Sequence, residues 1–272
     1  GVSFYRFLED LCEHFDDKKE EVISRLSTVA GFIFRKENLL VDYTGTQEGL
    51  DIVEQELSGL CDKLYVNPIE TTACIISKNQ KNEAFKTSAQ VQYVCRAGNY
   101  REKGLEYTGA LKVLKVIMGY EYLWMNVRVK GGAYGCMSSF GKTGECYFVS
   151  YRDPNLTKTI EVYEQAAEFV RTFEADERTL TKYIIGAISD LDVPLNPMAK
   201  GSRSLRAYLS NVTFADEQRD RDELLGVTEQ EINRLSEYVE AFIATDCICV
   251  VGNEDVINTN SELFEKTENL FH

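Results

Sequence analysis

The stretch Arg128-Val129-Lys130-Gly131-Gly132-Ala133-Tyr134-Gly135 decides how the rest of the chain is read. It sets a permanent cation and a phenol on either side of a glycine-rich turn. Glycine adopts backbone conformations in which a side chain would clash, so a sharp reversal is expected there. Upstream, the apolar pattern over residues 105–128 (Leu111, Leu114, Ile117, Met118, Leu123, Trp124) predicts a largely buried helix that Arg128 closes. Downstream, Tyr134 opens a strand-like run. Regular structure on both sides thus holds two hydrogen-bond donors, a rigid guanidinium fork and a phenolic hydroxyl. Such a pair can converge on a peptide carbonyl or a developing oxyanion. On chemistry alone a structural role stays open, because an arginine complements a helix C-terminus and a tyrosine after a turn often packs.

Working outward, residues 134–140 and 146–151 alternate as two strands joined through Gly141-Lys142-Thr143-Gly144. Before the helix, Thr72 to Ser77 reads as a short strand and Lys78 to Glu83 as a polar loop. Ser88 to Arg96 alternates, with Ala89, Val91, Tyr93 and Cys95 on one face. After the hairpin, Asp153-Pro154-Asn155 turns the chain into helices near 157–173 and 176–192. Pro194 and Pro197 break that pattern before a helix near 199–212. A helix over 228–244 leads into a strand, Cys247 to Val251, and a last short helix ends near Phe271. Strands, then helices, then a returning strand predict an α+β fold: a mixed or antiparallel sheet packed by helices on one face.

Residues 1–65 read differently. Helical spacing covers 3–36, with Asp16-Asp17 as a possible break, followed by a strand at Leu39 to Tyr43. Thr46 is placed to cap a helix whose seam is Leu50, Val53, Leu57, Leu60 and Leu64. A helix-strand-helix piece cannot satisfy a lone strand, so it is expected to dock on something larger. Asn67-Pro68 marks a plausible boundary, which predicts two domains, 1–67 and 68–272.

Composition narrows the function classes. A net charge of −14 argues against nucleic acid, since phosphate backbones select basic surfaces. Residues 1–65 carry 14 acidic and 7 basic side chains, an excess that suits solvated helix faces or cationic peptides. Apolar runs such as Cys247 to Val251 are too short to span a membrane, and acidic residues near the start do not suit a signal peptide. Eight cysteines without a Cys-x-x-Cys pair point to buried thiols in a reducing compartment, hence a cytoplasmic location. Gly141-Lys142-Thr143 lacks the glycine a phosphate loop needs five positions earlier, where Cys136 stands. The two histidines, His14 and His272, form no zinc-binding pattern and supply no base for a nucleophilic triad.

Three words of the sequence together resemble the pitrilysin/insulysin family of zinc metallopeptidases, in its presequence-protease branch. They are Arg128 to Gly135, Ser150-Tyr151-Arg152-Asp153-Pro154-Asn155, and a proline-broken loop with Pro194, Pro197, Lys200 and Gly201. They occur in family order over about residues 70–255. The resemblance implies that residues 68–272 form the fourth family domain and residues 1–67 the end of the third. It implies a clamshell enclosing a peptide chamber, with zinc held by an N-terminal half that these residues do not include. Arg128 and Tyr134 then take the places of the family's catalytic arginine and tyrosine, with Gly131, Gly132 and Ala133 contributing to substrate binding. Where the family often has glutamate after the arginine, this chain has Val129. The implied partners are peptide substrates and the N-terminal half, and the fragment alone is expected to be inactive. The alternative is a non-catalytic scaffold or peptide-binding subunit of the same fold.

Overall fold

A computed structural model describes residues 1–69 and 82–271. The strand expected at Thr72 to Ser77 lies outside the described residues. The chain divides into two compact units, Gly1–Ser77 with Pro194–Asn211, and Lys78–Val193 with Val212–His272.

The first unit is helical. Helix α1 (Val2–Glu13) and α2 (Phe15–Ile33) break at His14, close to the expected Asp16-Asp17. Residues 39–43 form no strand, and the neighbouring bridge joins Arg35 to Tyr65 instead. The expected strand therefore finds no ladder among the described residues, as a lone strand cannot. Helix α3 (Gln47–Cys61) begins as anticipated, with the Thr46 hydroxyl accepting the Gly49 amide at 3.3 Å. None of these three helices fully buries a side chain.

The second unit holds the core. Strands β1 (Glu83–Thr87) and β2 (Gln92–Asn99) precede helix α4 (Ala110–Ile117), which runs on as a π-helical segment, Met118–Lys130. The hairpin follows as β3 (Gly135–Phe140) and β4 (Glu145–Asp153). Helices α5 (Thr157–Glu164), α6 (Ala166–Arg171) and α7 (Glu177–Ser189) come next. Helix α8 (Pro197–Leu209) belongs to the first unit. Helices α9 (Phe214–Leu225), α10 (Glu229–Arg234) and α11 (Ser236–Ile243) lead to β5 (Cys247–Asn253), α12 (Glu254–Thr259) and β6 (Lys266–Asn269).

Two elements depart from expectation at the C-terminal side. Instead of a last helix near Phe271, β6 pairs parallel to β1 and ends the sheet. Helix α9 is too charged to show an apolar stripe; its signal is the capping box of Thr213 and Asp216.

The sheet order is β3-β4-β2-β5-β1-β6, antiparallel from β3 to β5 and parallel across β5-β1-β6. Helices cover one face. Val94, Phe148, Ile248 and Val250 point into that layer, where Phe148 meets the rings of Phe242 at 4.9 Å and Tyr163 at 5.6 Å. Tyr93, Met137 and Tyr147 stand on the other, open face. In β2 the side facing the helices includes two polar residues, each with partners. Gln92 accepts the Asn253 amide at 2.8 Å, and Arg96 donates to Asp246 at 2.8 Å and to the Ile243 carbonyl at 2.9 Å. Such matching offsets most of the cost of burying polar groups under a helical layer, although the Arg96 Nε has no partner among the described residues.

This division predicts unequal costs. Phe148→Ala should lower stability to urea by about 3–5 kcal/mol, because it leaves a cavity between sheet and helices. Met137→Ala, half-exposed on the open face, should change it by less than about 1 kcal/mol. Equal losses would contradict the one-sided core.

Candidate functional site at the glycine turn

The π-helical segment delivers the first donor. Its i→i+5 bonding widens the helix, a geometry often found at functional sites. Arg128 lies in its last turn, with the guanidinium carbon 3.9 Å from the centre of the Trp124 ring. Trp124, expected in the core, is 41% exposed and serves as a platform for that cation. Leu111, Leu114, Ile117, Met118 and Leu123 are buried as expected.

The turn then closes on itself. The Gly132 amide donates to the Arg128 carbonyl at 2.9 Å and the Ala133 amide to the Val127 carbonyl at 3.1 Å. Gly132 has φ +81°, the left-handed region that favours glycine. Gly131 is half-buried and Gly132 exposed, while Ala133 packs into the core at 3% exposure. The backbone donors of Gly132 and Ala133 are thus occupied within the chain.

Tyr134, 60% exposed, follows at the start of the hairpin. Its amide donates to the Arg152 carbonyl at 3.3 Å. Its ring meets the Tyr151 ring edge-on at 5.5 Å, and the Arg152 guanidinium stands 5.6 Å from its centre. Gly135 permits this arrangement: a Cβ there would come within 2.3 Å of the Tyr151 ring. Among the described residues neither the Arg128 guanidinium nor the Tyr134 hydroxyl has a hydrogen-bond partner. Both donors remain available.

The second sequence word supports the first. Asp153 is fully buried and accepts the Asn155 amide at 2.9 Å and the Thr159 hydroxyl at 2.7 Å. Asn155, oriented by that turn, donates its side-chain N–H to the Gly131 carbonyl at 2.6 Å. A shallow hollow of about 260 Å³ lies beside this bond, bordered by Asn126, Lys130 and Lys158. The third word stands elsewhere: Pro197 opens α8 in the first unit, where the Asn196 side chain accepts the Ala199 amide at 2.8 Å.

Sequence reasoning singled out Arg128 and Tyr134 but assigned no role to Trp124, Tyr151, Arg152 or Asn155. The Asp153-Pro154-Asn155 turn carried a signal for one of them, since Asx side chains bond to nearby backbone. The aromatic platform had none, because Trp124 sits in an unbroken apolar pattern.

Comparison with known proteins places the fold first. A solved structure described as the peptidase M16 inactive domain from Pseudomonas fluorescens superposes with a TM-score of 0.52 at 15% identity, covering 75% of this chain and 51% of that one. Pitrilysin superposes with a TM-score of 0.51 at 10% identity, covering 76% of this chain and 23% of its own. This is the architecture of pitrilysin-type peptidase domains. The family model described as the PreP C-terminal domain matches residues 82–254, and the chain belongs to the pitrilysin family as the C-terminal part of a presequence-protease-like member. Protein HypA of Clostridium perfringens is 38% identical over 99% of this chain and 28% of its own length. Presequence protease 1, chloroplastic/mitochondrial, of Arabidopsis thaliana is 33% identical over 96% of this chain and 24% of its own. The chain therefore spans about a quarter of the length of these relatives. Among the described residues no helix is long and apolar enough to cross a membrane.

Thiols of the second unit respond to burial. Burial pushes Cys136 up to about 11, opposed by the nearby Arg128 cation and reinforced by Asp153. Burial likewise raises Cys95 and Cys249 to about 11 and Cys146 to about 12. Cys95 and Cys249 face each other across β2 and β5 on the open side of the sheet, half-buried rather than packed under the helices. These groups stay protonated in the fold at pH values where the unfolded chain has begun to ionise. The folded state then binds more protons, so the thiols' contribution to stability is full below about pH 9 and declines as pH rises toward about 11. Urea unfolding under reducing conditions should show that decline, and Cys95→Ala with Cys249→Ala should flatten it. A profile unchanged by both substitutions would remove Cys95 and Cys249 as a cause.

Proposed function

We propose that this chain is the C-terminal part of a zinc-dependent endopeptidase that degrades peptides inside a closed chamber. Its contribution is substrate binding and stabilisation of the transition state. The observation that carries the proposal is the pair of unpartnered donors, Arg128 and Tyr134, flanking a turn that the hairpin holds in place. Residues 1–67 are assigned to the closing part of the third family domain and residues 68–272 to the fourth. The apolar faces left open on α1 to α3, such as Phe4 at 61% and Leu26 at 63% exposure, support that assignment.

Attack on a peptide carbonyl builds negative charge on its oxygen, and fixed donors aimed at that atom lower the barrier. Arg128 supplies charge and a planar fork; Tyr134 supplies one directed hydroxyl. Gly131 and Gly132 give a peptide backbone a surface without side chains, with Ala133 packed beneath. Among the described residues no group of three His, Cys, Asp or Glu could hold a metal. In this proposal zinc, which activates the attacking water in such enzymes, is held by the N-terminal half, and the C-terminal part alone is inactive. Closure of the two halves would then bring the donors to the substrate. Cationic peptides suit the net charge of −14. Free thiols fit a reducing compartment, and cytoplasm is the proposed location; the Arabidopsis relative is chloroplastic/mitochondrial by name.

In the full-length protein, Arg128→Ala and Tyr134→Phe should each reduce peptide turnover by about 10²–10³. Zinc content, measured by atomic absorption, should stay at the wild-type level. Near-normal turnover in both variants would instead favour a non-catalytic scaffold or peptide-binding role for this part.

A further inference from the structure

Arg152 holds a backbone conformation that a side chain disfavours, with φ +49°. Glycine, asparagine or aspartate would take that position more easily. A non-glycine residue kept in the left-handed region is a reason to ask what its side chain does. Arg152 is exposed, and among the described residues no carboxylate pairs with it. Its guanidinium instead stands 5.6 Å from the centre of the Tyr134 ring. The same residue's carbonyl accepts the Tyr134 amide at 3.3 Å. One residue therefore touches Tyr134 twice, through the main chain and through the face of the phenol.

Three neighbours make that contact specific. Tyr151 closes the ring's side edge-on at 5.5 Å, where Gly135 leaves it room. The buried Asp153 carboxylate fixes the turn directly after Arg152, holding Asn155 and Thr159. Asn155 then anchors the Gly131 carbonyl at 2.6 Å, at the other end of the turn. Tyr134 is otherwise 60% exposed, so without these contacts its phenol would sample several rotamers.

We infer that Arg152 is a positioning residue for Tyr134: its left-handed backbone and its guanidinium together hold the exposed phenol in one orientation. The inference rests on the reading that the Tyr134 hydroxyl meets the substrate. Small misplacements of a reacting group are costly, so a positioning contact should register in turnover more than in binding.

The test uses the full-length protein and four variants: Arg152→Gly, Arg152→Lys, Tyr134→Phe and the double variant Tyr134→Phe with Arg152→Gly. Arg152→Gly keeps the left-handed backbone and removes the cation; Arg152→Lys keeps a cation on the same backbone. Arg152→Gly should lower kcat about two- to fivefold with KM unchanged, and Arg152→Lys should recover most of that loss. In a Tyr134→Phe background, Arg152→Gly should cause no further loss, because the group it orients is gone. The tyrosine-ring carbon resonances of the labelled protein give a second readout: the Tyr134 signal should shift toward the averaged, mobile position in Arg152→Gly and not in Arg152→Lys. Full kcat in Arg152→Gly would overturn the inference, as would an equal loss with and without the Tyr134 hydroxyl, or an unmoved resonance. If Tyr134→Phe alone keeps full turnover, the catalytic reading of Tyr134 fails, and the resonance still decides whether Arg152 orients the ring.

Discussion

Two main-chain carbonyls, those of Gly131 and Arg152, tie the end of a helix to the hairpin that follows it. Asn155 donates to the first and Tyr134 donates to the second. The first bond arises because a buried carboxylate, Asp153, shapes the turn after β4 into a donor-presenting loop, and the second continues the β3-β4 ladder. Buried carboxylates are costly unless fully matched, so a turn built on one is well determined. That constraint makes the glycine turn a rigid mount instead of a flexible link. The availability of Arg128 and Tyr134 as donors depends on it, since a mobile turn would spread them over many positions.

The rest of the unit serves as support. A single helical layer fills one sheet face, with Phe148 at its centre among Phe242 and Tyr163. The other face is left with half-exposed side chains, among them Tyr93, Met137 and Tyr147. Tyr151 extends that row opposite Gly135, and the exposed Tyr134 ring lies against it. Tyr134, at 60% exposure, can be reached without disturbing the core. Widening of the helix before the turn has a complementary effect. It exposes Trp124, and the stacked Arg128 guanidinium keeps its hydrogen-bonding edges clear.

Much of this was legible in the residues. The glycine turn, the hairpin through Gly141 to Gly144, the Thr46 cap and the buried Leu111-to-Leu123 pattern follow from local chemistry that acts over a few residues. What escaped depends on distant partners. Leu39 to Tyr43 has strand-like composition but no neighbour to pair with among the described residues, while the charged segment Lys266–Asn269 does pair, because β1 offers it an edge. Composition cannot say which edge is open. Trp124 was read as core because apolar spacing assumes an α-helical turn, and the π-helical segment changes it. Arg152 and Asn155 gain their roles from contacts about twenty residues away in sequence, beyond what a local pattern encodes.

Binding of a tetrahedral-state analogue tests the central claim most directly, since a transition-state donor must favour that state over the bound substrate. Affinity of the full-length protein for a non-hydrolysable peptide analogue of the tetrahedral state should fall by about 10²–10³ in Arg128→Ala and Tyr134→Phe. Affinity for the corresponding ordinary peptide should fall far less. Equal losses for analogue and peptide would contradict the account, leaving the two side chains as general binding contacts.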